Sequence, residues 1–212
     1  MISAHAFIDW DTARRIRRPP GGLSENIDFK DRVRYVSECY QEIQQRTVDC
    51  LSGMQSKSKV KIVMSRIYHG WHRGRTATDD RRAWEEAKSK LRPVANKNVS
   101  FLADIRFGDS LICGGLRSPL FDTLRRRDDG LDQQKMVDTA LVADLLSYCR
   151  AESAGFRRGR PPEAMAIVIA NDDDLLPGTF AAEQWGLPVK VMRINRANES
   201  KFLQLDGLVY SL

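Results

Sequence analysis

The sequence predicts an α/β fold with a central, mainly parallel sheet. Short apolar runs, typical of strands buried on both faces, alternate with longer segments in which apolar residues repeat at helical spacing. Strands that alternate with helices form parallel sheets with right-handed crossovers. Because 212 residues suit one such unit, we expect residues 1–212 to form a single domain.

The first third of the chain predicts a strand, a helix and a second strand. The apolar run 4–8 stops at Asp9, and the proline- and glycine-rich residues 19–22 indicate a loop. Asp28 is placed to cap a helix over 29–52, whose apolar residues fall on one face. Residues 59–64 predict the second strand, and 66–75 a basic loop.

The remaining elements follow from the same patterns of apolar spacing, caps and breakers. The predicted set is a helix over 80–91, a strand over 100–107 paired with 111–113, a helix over 133–149 capped by Asp132, a strand over 164–170, a helix over 177–185, a strand over 189–194, a surface connection over 155–162 and a docked tail over 201–212.

Charge and composition narrow the classes of function. The net charge is +6, and arginines cluster in four blocks, which favours a polyanionic partner because neutralised phosphates release counterions. No apolar run approaches the roughly 20 residues that span a bilayer, so we expect no membrane association. No signal-peptide pattern is visible, and the four cysteines form no CxxC pair, so a reduced, cytoplasmic protein is expected.

Acidic residues follow two of the predicted strands. Asp9 and Asp11 come after the first strand, and Asp172 to Asp174 come after strand 164–170. Either group alone is explained by the frequent occurrence of Asp in turns and at helix N-caps. Together they predict a carboxylate cluster, because ligand sites lie beyond the carboxyl ends of parallel strands. Clustered carboxylates need protonation or a cation, and their oxygens suit Mg²⁺ or Mn²⁺.

The predicted helix over 133–149 carries two further acids. Asp138 lies in its first turn and is the better candidate for the metal site. Asp144 is about 120° away around the helix, so one ion does not reach both. For Asp144, a buried carboxylate hydrogen-bonded to backbone is as good an interpretation as a functional role.

Three motifs in this order resemble those of NYN domains, members of the PIN-like nuclease superfamily. They are residues 7–11 (Phe-Ile-Asp-Trp-Asp), residues 135–138 (Lys-Met-Val-Asp) followed by Leu141 and Asp144, and residues 169–177, which contain Asn-Asp-Asp-Asp before an apolar pair and proline. The resemblance covers essentially the whole chain. It departs from the family at Asp11, usually asparagine, and at Asn171, usually glycine, where asparagine is a residue that tolerates a left-handed backbone. Residues 68–92 match nothing in the family, and substrate choice is expected to reside there.

The resemblance implies a three-layer sandwich around a mainly parallel sheet and a metal-dependent endoribonuclease. Asp9, Asp138, Asp172 and Asp174 would hold one or two Mg²⁺ or Mn²⁺ ions, and Asp11 would complete the shell or orient the attacking water. Single-stranded or structured RNA is the expected partner, and a homodimer or a regulatory protein partner stays open. The residues expected to contact the RNA backbone are Arg14, Arg15, Arg73, Arg75 and Lys135.

Two other functions compete with the nuclease. Asp9-Trp10-Asp11-Thr12 also resembles the first motif of haloacid-dehalogenase phosphatases, with Asp9 as nucleophile and Asp11 as acid/base. Ser65 and the pair Asp172-Asp173 would fill later roles. That scheme leaves the helix with Asp138 unexplained. The second alternative is a catalytically silent RNA-binding domain of the same fold, against which the retained acids argue.

Overall fold

The computed structural model describes residues 1–19, 27–54, 58–114, 119–154, 163–194 and 207–212. Its helices are α1 Trp10–Ala13, α2 Phe29–Met54, α3 Asp79–Ala87, α4 Val137–Ser153 and α5 Leu176–Gln184. Its strands are β1 Ile2–Asp9, β2 Val60–Tyr68, β3 His72–Arg73, β4 Thr76–Ala77, β5 Val94–Asn96, β6 Val99–Phe101, β7 Ile105–Phe107, β8 Leu124–Arg126, β9 Asp132–Gln134, β10 Ala164–Ile169, β11 Val189–Arg193 and β12 Val209–Ser211.

Eight strands form one mixed sheet in the order β12-β11-β10-β1-β2-β6-β5, with β7 also paired to β2. Every pairing is parallel except that of β5 with β6. The predicted α/β class with a mainly parallel sheet is therefore confirmed. In β1, Ile8 lies opposite Ile169 of β10 and Ile67 of β2, so the carboxyl ends of these three strands lie side by side.

Side chains of the sheet alternate between two buried clusters, as the period of a strand requires. Ala4, Ala6 and Ile8 belong to a cluster with α2 and α3. Phe7 belongs to a second cluster, with α4 and α5. Helices therefore cover strand β1 on both sides, which explains why the consecutive residues Ala6, Phe7 and Ile8 are all apolar.

Three aromatic side chains connect the end of β1 to α2 and α3. Trp84 meets Trp10 edge-on with ring centres 4.7 Å apart, and it meets Tyr40 at 5.3 Å. Trp10 is 1% exposed and is therefore part of the core. This contact holds α3 close to Asp9.

Several predicted elements differ from those observed. Asp132 lies in β9 rather than capping a helix, because Met136 adopts a φ of 65° and α4 begins only at Val137. Ile112–Gly114 is a 3-10 helix rather than a paired strand, and β2 continues to Tyr68 into the predicted loop. The two-stranded pairs β3–β4 and β8–β9 were not predicted.

The chain end and two predicted connections need separate mention. The predicted tail contributes β12, which pairs in parallel with β11, and Leu208, which is buried. Residues 20–22, 155–162 and 201–206 lie outside the described ranges. Within the described part of the chain, no helix is both long and apolar enough to cross a membrane.

Candidate active site

A cleft of about 1040 Å³ opens at the carboxyl ends of β1 and β10. Four predicted site acids from three distant segments of the chain line it, and we call it the acidic cleft. These four are Asp9, Asp11, Asp138 and Asp172. The fifth predicted acid, Asp174, follows Asp172 in the same turn, and it is not part of the lining.

Asp9 is the most buried acid of the cleft, at 6% exposure. It ends β1 and caps α1, where its carboxylate accepts hydrogen bonds from the Asp11 N–H (3.1 Å) and the Thr12 hydroxyl (2.8 Å). Burial raises the pKa of Asp9 to about 6. The hydrogen bond from Thr12 lowers this pKa, whereas the negative charges of Asp11 and Asp138 raise it further. An ionised Asp9 therefore destabilises the folded state at neutral pH.

Replacing Asp9 by asparagine is expected to stabilise the metal-free protein. The pKa of Asp9 is raised from 3.8 to about 6 by folding, so stability is lost as pH rises through this window. Above it the penalty is about 3 kcal/mol. Asparagine still caps the helix without charge. Urea unfolding in EDTA is expected to show a larger gain at pH 7.5 than at pH 5, and a loss of stability at both pH values would contradict this.

Asp138 and Asp172 approach from α4 and from the loop after β10. Desolvation in the cleft and the charges of Asp172, Asp174 and Asp11 raise the pKa of Asp138. The Asp172 carboxylate accepts the Asp174 N–H at 2.9 Å, which turns the chain into a short 3-10 helix. Among the residues that the structure describes, no ion pair neutralises Asp138, Asp172 or Asp174.

Asp11 differs from the other acids because arginines neutralise it. Its carboxylate pairs with Arg14 at 2.7 Å and with Arg15 at 3.1 Å. Burial raises the pKa of Asp11, but Arg14, His69 and Arg15 outweigh burial and leave the pKa below its usual value. Asp11 is therefore ionised throughout the neutral range.

The carboxylate oxygens of the cleft are suitable ligands for a hard divalent cation. A bound cation would also relieve the repulsion between these carboxylates. The described side chains do not form a complete metal-coordination site, however. Within the described ranges, no three His, Cys, Asp or Glu side chains are grouped closely enough to hold a metal ion.

Asp80, Arg32 and His69 also line the cleft, and the sequence did not single out Asp80 or Arg32. Asp80 lies in the first turn of α3, where an acid is ordinary, and Thr78 supplies the helix cap. Only the packing of α3 against α2 turns Asp80 into the cleft. Because residues 69–82 line much of it, the unassigned segment 68–92 does form part of the candidate site.

The five predicted RNA-binding residues separate into two groups. Arg14 and Arg73 line the acidic cleft, where Arg73 pairs with Asp132 at 2.6 Å. Arg15, Arg75 and Lys135 lie outside its lining. Arg75 is exposed with its guanidinium 5.9 Å from the Phe121 ring centre, and Lys135 lines a neighbouring depression with Arg125, Arg126 and Arg127.

Asp144 is not part of the cleft. It is 0% exposed and accepts hydrogen bonds from the Arg66 guanidinium (3.0 Å), the Tyr68 hydroxyl (2.9 Å) and the Ile112 N–H (2.6 Å). These partners join α4 to β2 and to the segment after β7. The structure therefore supports the structural interpretation of Asp144 over the functional one.

Asn171 positions the loop that carries Asp172 through its side chain. It is not among the described residues with a left-handed φ. Instead its side chain forms a pair of hydrogen bonds with the backbone of Ile194, at 3.0 and 2.8 Å, which glycine cannot make. The neighbouring Asp173 pairs with buried Arg193 and so points away from the other acids.

No protein-family model, curated protein or solved structure matches the chain. The likeness to NYN domains therefore rests on its three sequence motifs. The structure adds that acids from all three motifs line or border one cleft.

Proposed function

We propose that the chain is a metal-dependent endoribonuclease of the NYN kind, a single PIN-like domain in which two helical layers enclose the sheet as a three-layer sandwich. The observation that carries this proposal is the convergence of Asp9, Asp138 and Asp172 from three distant segments on one cleft. Folding places these charges together at a cost in stability, and a bound cation would offset that cost.

Asp9, Asp138, Asp172 and Asp174 are the residues proposed to hold Mg²⁺ or Mn²⁺. When bound, such an ion polarises the phosphate and lowers the pKa of coordinated water, so no histidine base is required. Asp11, fixed by Arg14 and Arg15, is ionised and has oxygens with which to orient the attacking water. In-line attack would leave 5′-phosphate and 3′-hydroxyl ends.

RNA binding is assigned to the basic residues in and around the cleft. Arg14 and Arg73 would contact the backbone inside the cleft. The β8–β9 hairpin extends the contact outward, because Gln133 lines both the cleft and the depression that holds Arg125 to Arg127 and Lys135. Each of these groups is a donor for phosphate oxygens.

The haloacid-dehalogenase alternative is less well supported. A general acid needs a pKa near the working pH, whereas the pKa of Asp11 is lowered by its arginine partners. Ser65 is fully buried and hydrogen-bonded to the Tyr40 hydroxyl at 2.8 Å, outside the cleft lining. The silent RNA-binding alternative leaves the cost of clustering the acids unexplained.

Product analysis of cleaved RNA distinguishes these functions. The purified protein is incubated with internally labelled RNA and with p-nitrophenyl phosphate in Mn²⁺ or Mg²⁺, beside an Asp172→Asn variant. We expect RNA fragments with 5′-phosphate ends from the wild type only. Release of nitrophenol with intact RNA would support the phosphatase, and RNA binding without either product would support the silent domain.

A further inference from the structure

We propose that the β8–β9 hairpin holds the RNA on one side of the scissile phosphate, so that a substrate must extend beyond the acidic cleft on that side. This role rests on the proposed function, because it defines how much RNA the same site takes. Residues 124–134 belong to none of the three motifs.

One face of the hairpin is fixed against the wall of the cleft. Side chains alternate along β8 and β9, and this inner face carries three residues that line the cleft: Leu124, Asp132 and Gln134. The Gln134 side-chain amide lies 2.9 Å from His69 Nδ1, and Asp132 pairs with Arg73 at 2.6 Å. Leu124 packs so closely on Gly70 that a Cβ atom there would lie 2.9 Å from Leu124 Cδ1. These contacts set the position of the hairpin beside the carboxylates.

His69 joins the hairpin to α3. Its Nε2 lies 3.1 Å from the Asp80 carboxylate, on the opposite side of the ring from the Gln134 contact. A neutral ring with its proton on Nε2 satisfies both contacts, donating to Asp80 and accepting from Gln134. The ring is buried, with 6% of the residue exposed. His69 is therefore a positioning residue for the hairpin.

The opposite face of the hairpin is open to solvent and basic. This outer face carries Arg125, Arg127, Gln133 and Lys135. Arg125 pairs with Asp122 at 2.7 Å and Arg127 with Asp129 at 3.1 Å, and the side chains of these pairs are between 41% and 54% exposed. Because exposed pairs of this kind are weak, an RNA phosphate can replace either carboxylate.

A depression of about 470 Å³ beside the outer face supplies donors for phosphate. Four cationic side chains and two carboxylates line it: Arg125, Arg126, Arg127, Lys135, Asp128 and Asp129. The side-chain hydrogen bonds of Arg125 and Arg126 run from Nε to carbonyl oxygens. Within the described part of the chain, their terminal nitrogens donate no hydrogen bond and Lys135 forms no ion pair. These groups are therefore open to a phosphate.

The depression is continuous with the acidic cleft. Gln133 lines both, and β9 leads through Lys135 and Met136 into α4, whose first turn carries Asp138. RNA that ends inside the cleft leaves the outer face empty, whereas RNA that continues past Gln133 meets it. Because the hairpin forms only one wall of the cleft, this extension is expected on one side of the scissile phosphate.

The first experiment measures RNA binding without cleavage. Every variant is built on Asp172→Asn, and fluorescence anisotropy in EDTA gives Kd at several salt concentrations for single-stranded RNA of about 16 nucleotides. We expect Arg125→Gln combined with Arg127→Gln to weaken binding about tenfold. The slope of log Kd against log salt is expected to fall by about 1.4, the loss of two phosphate contacts.

Arg46→Gln combined with Arg106→Gln is the matched control. Both arginines are exposed and paired with an acid, and neither lines the cleft or the depression. The control is expected to change neither Kd nor the slope. Equal Kd and slope for the hairpin variant and the control, with both folded, would overturn the binding surface and leave the proposed nuclease activity untouched.

Mapping of the cleavage positions then tests the one-sided extension. Protein with an intact Asp172 cuts a homopolymeric RNA in Mn²⁺, and a label at one end or the other gives the distance from each end to the nearest cut. We expect a longer uncut margin at one end, which the hairpin variant shortens and the control does not. Equal margins would overturn the extension. If the hairpin variant loses affinity but the wild type cuts no RNA, the nuclease fails and the hairpin is still supported as an RNA-binding surface.

Discussion

Replacing Asp138 by asparagine is expected to lower the rate of metal-dependent RNA cleavage by about 100-fold or more without destabilising the protein. Loss of a group that only supports a metal ligand typically costs 10- to 100-fold, and a direct ligand is expected to cost at least as much. Stability is spared because the pKa of Asp138 is raised by burial and by Asp172, Asp174 and Asp11, so removing its charge relieves repulsion. Single-turnover cleavage rates and thermal unfolding measure the two effects.

Asp79→Asn is the matched control for this prediction. Asp79 lines the same cleft and carries the same charge, but it is more than half exposed and pairs with Arg82. We expect its cleavage rate to stay within a few-fold of wild type, as for most exposed ion pairs. Equal losses in the two variants would mean that the cleft needs negative charge in general and not a ligand at position 138.

Replacing Asp144 by alanine is expected to destabilise the protein by about 3–5 kcal/mol. The change leaves the Arg66 guanidinium, itself 9% exposed, buried without its carboxylate partner. It also removes the acceptor for the Tyr68 hydroxyl and the Ile112 N–H. Urea unfolding measures this loss directly.

The double variant Arg66→Met, Asp144→Ala tests the cause of that loss. If the loss of stability comes from the unpaired, buried charge of Arg66, the double variant is expected to be more stable than Asp144→Ala alone. The effects of the two substitutions on the free energy of unfolding are then strongly non-additive. A loss below about 1 kcal/mol for Asp144→Ala alone would show that water reaches Arg66 and that the pair is not a buried one.

Most of the central fold follows from local sequence patterns. Strand β10 is an uninterrupted apolar run and β1 is apolar over Ala6–Ile8, which is the pattern of a parallel strand covered on both faces. The short pairs β3–β4 and β8–β9 have no such pattern, because their residues are largely polar and exposed. Two hydrogen bonds between Gly74 and Asp122, one of them to the Asp122 side chain, join the turn between β3 and β4 to the segment before β8, and no local sequence signal reveals them.

The acids of the candidate site were predictable because each follows a recognisable strand or begins a helix. The parallel arrangement of β1 and β10 then brings Asp9 and Asp172 to one edge of the sheet. Asp80 and Arg32 were not predictable, because they meet only through the packing of α2 against α3. The predicted helix wrongly included Lys135 and took Asp132 as its cap. Because the backbone of Met136 is left-handed, α4 begins only at Val137, after both residues.

A metal titration of RNA cleavage in single turnover tests the proposed metal-dependent nuclease activity. Metal-free protein in excess is mixed with end-labelled RNA, and Mn²⁺ or Mg²⁺ is added in steps, with EDTA as the zero point. We expect no cleavage in EDTA and a rate that rises to a plateau with either metal, while the rate of Asp172→Asn stays near zero throughout. Cleavage that persists in EDTA, or intact RNA at every metal concentration, would contradict this expectation.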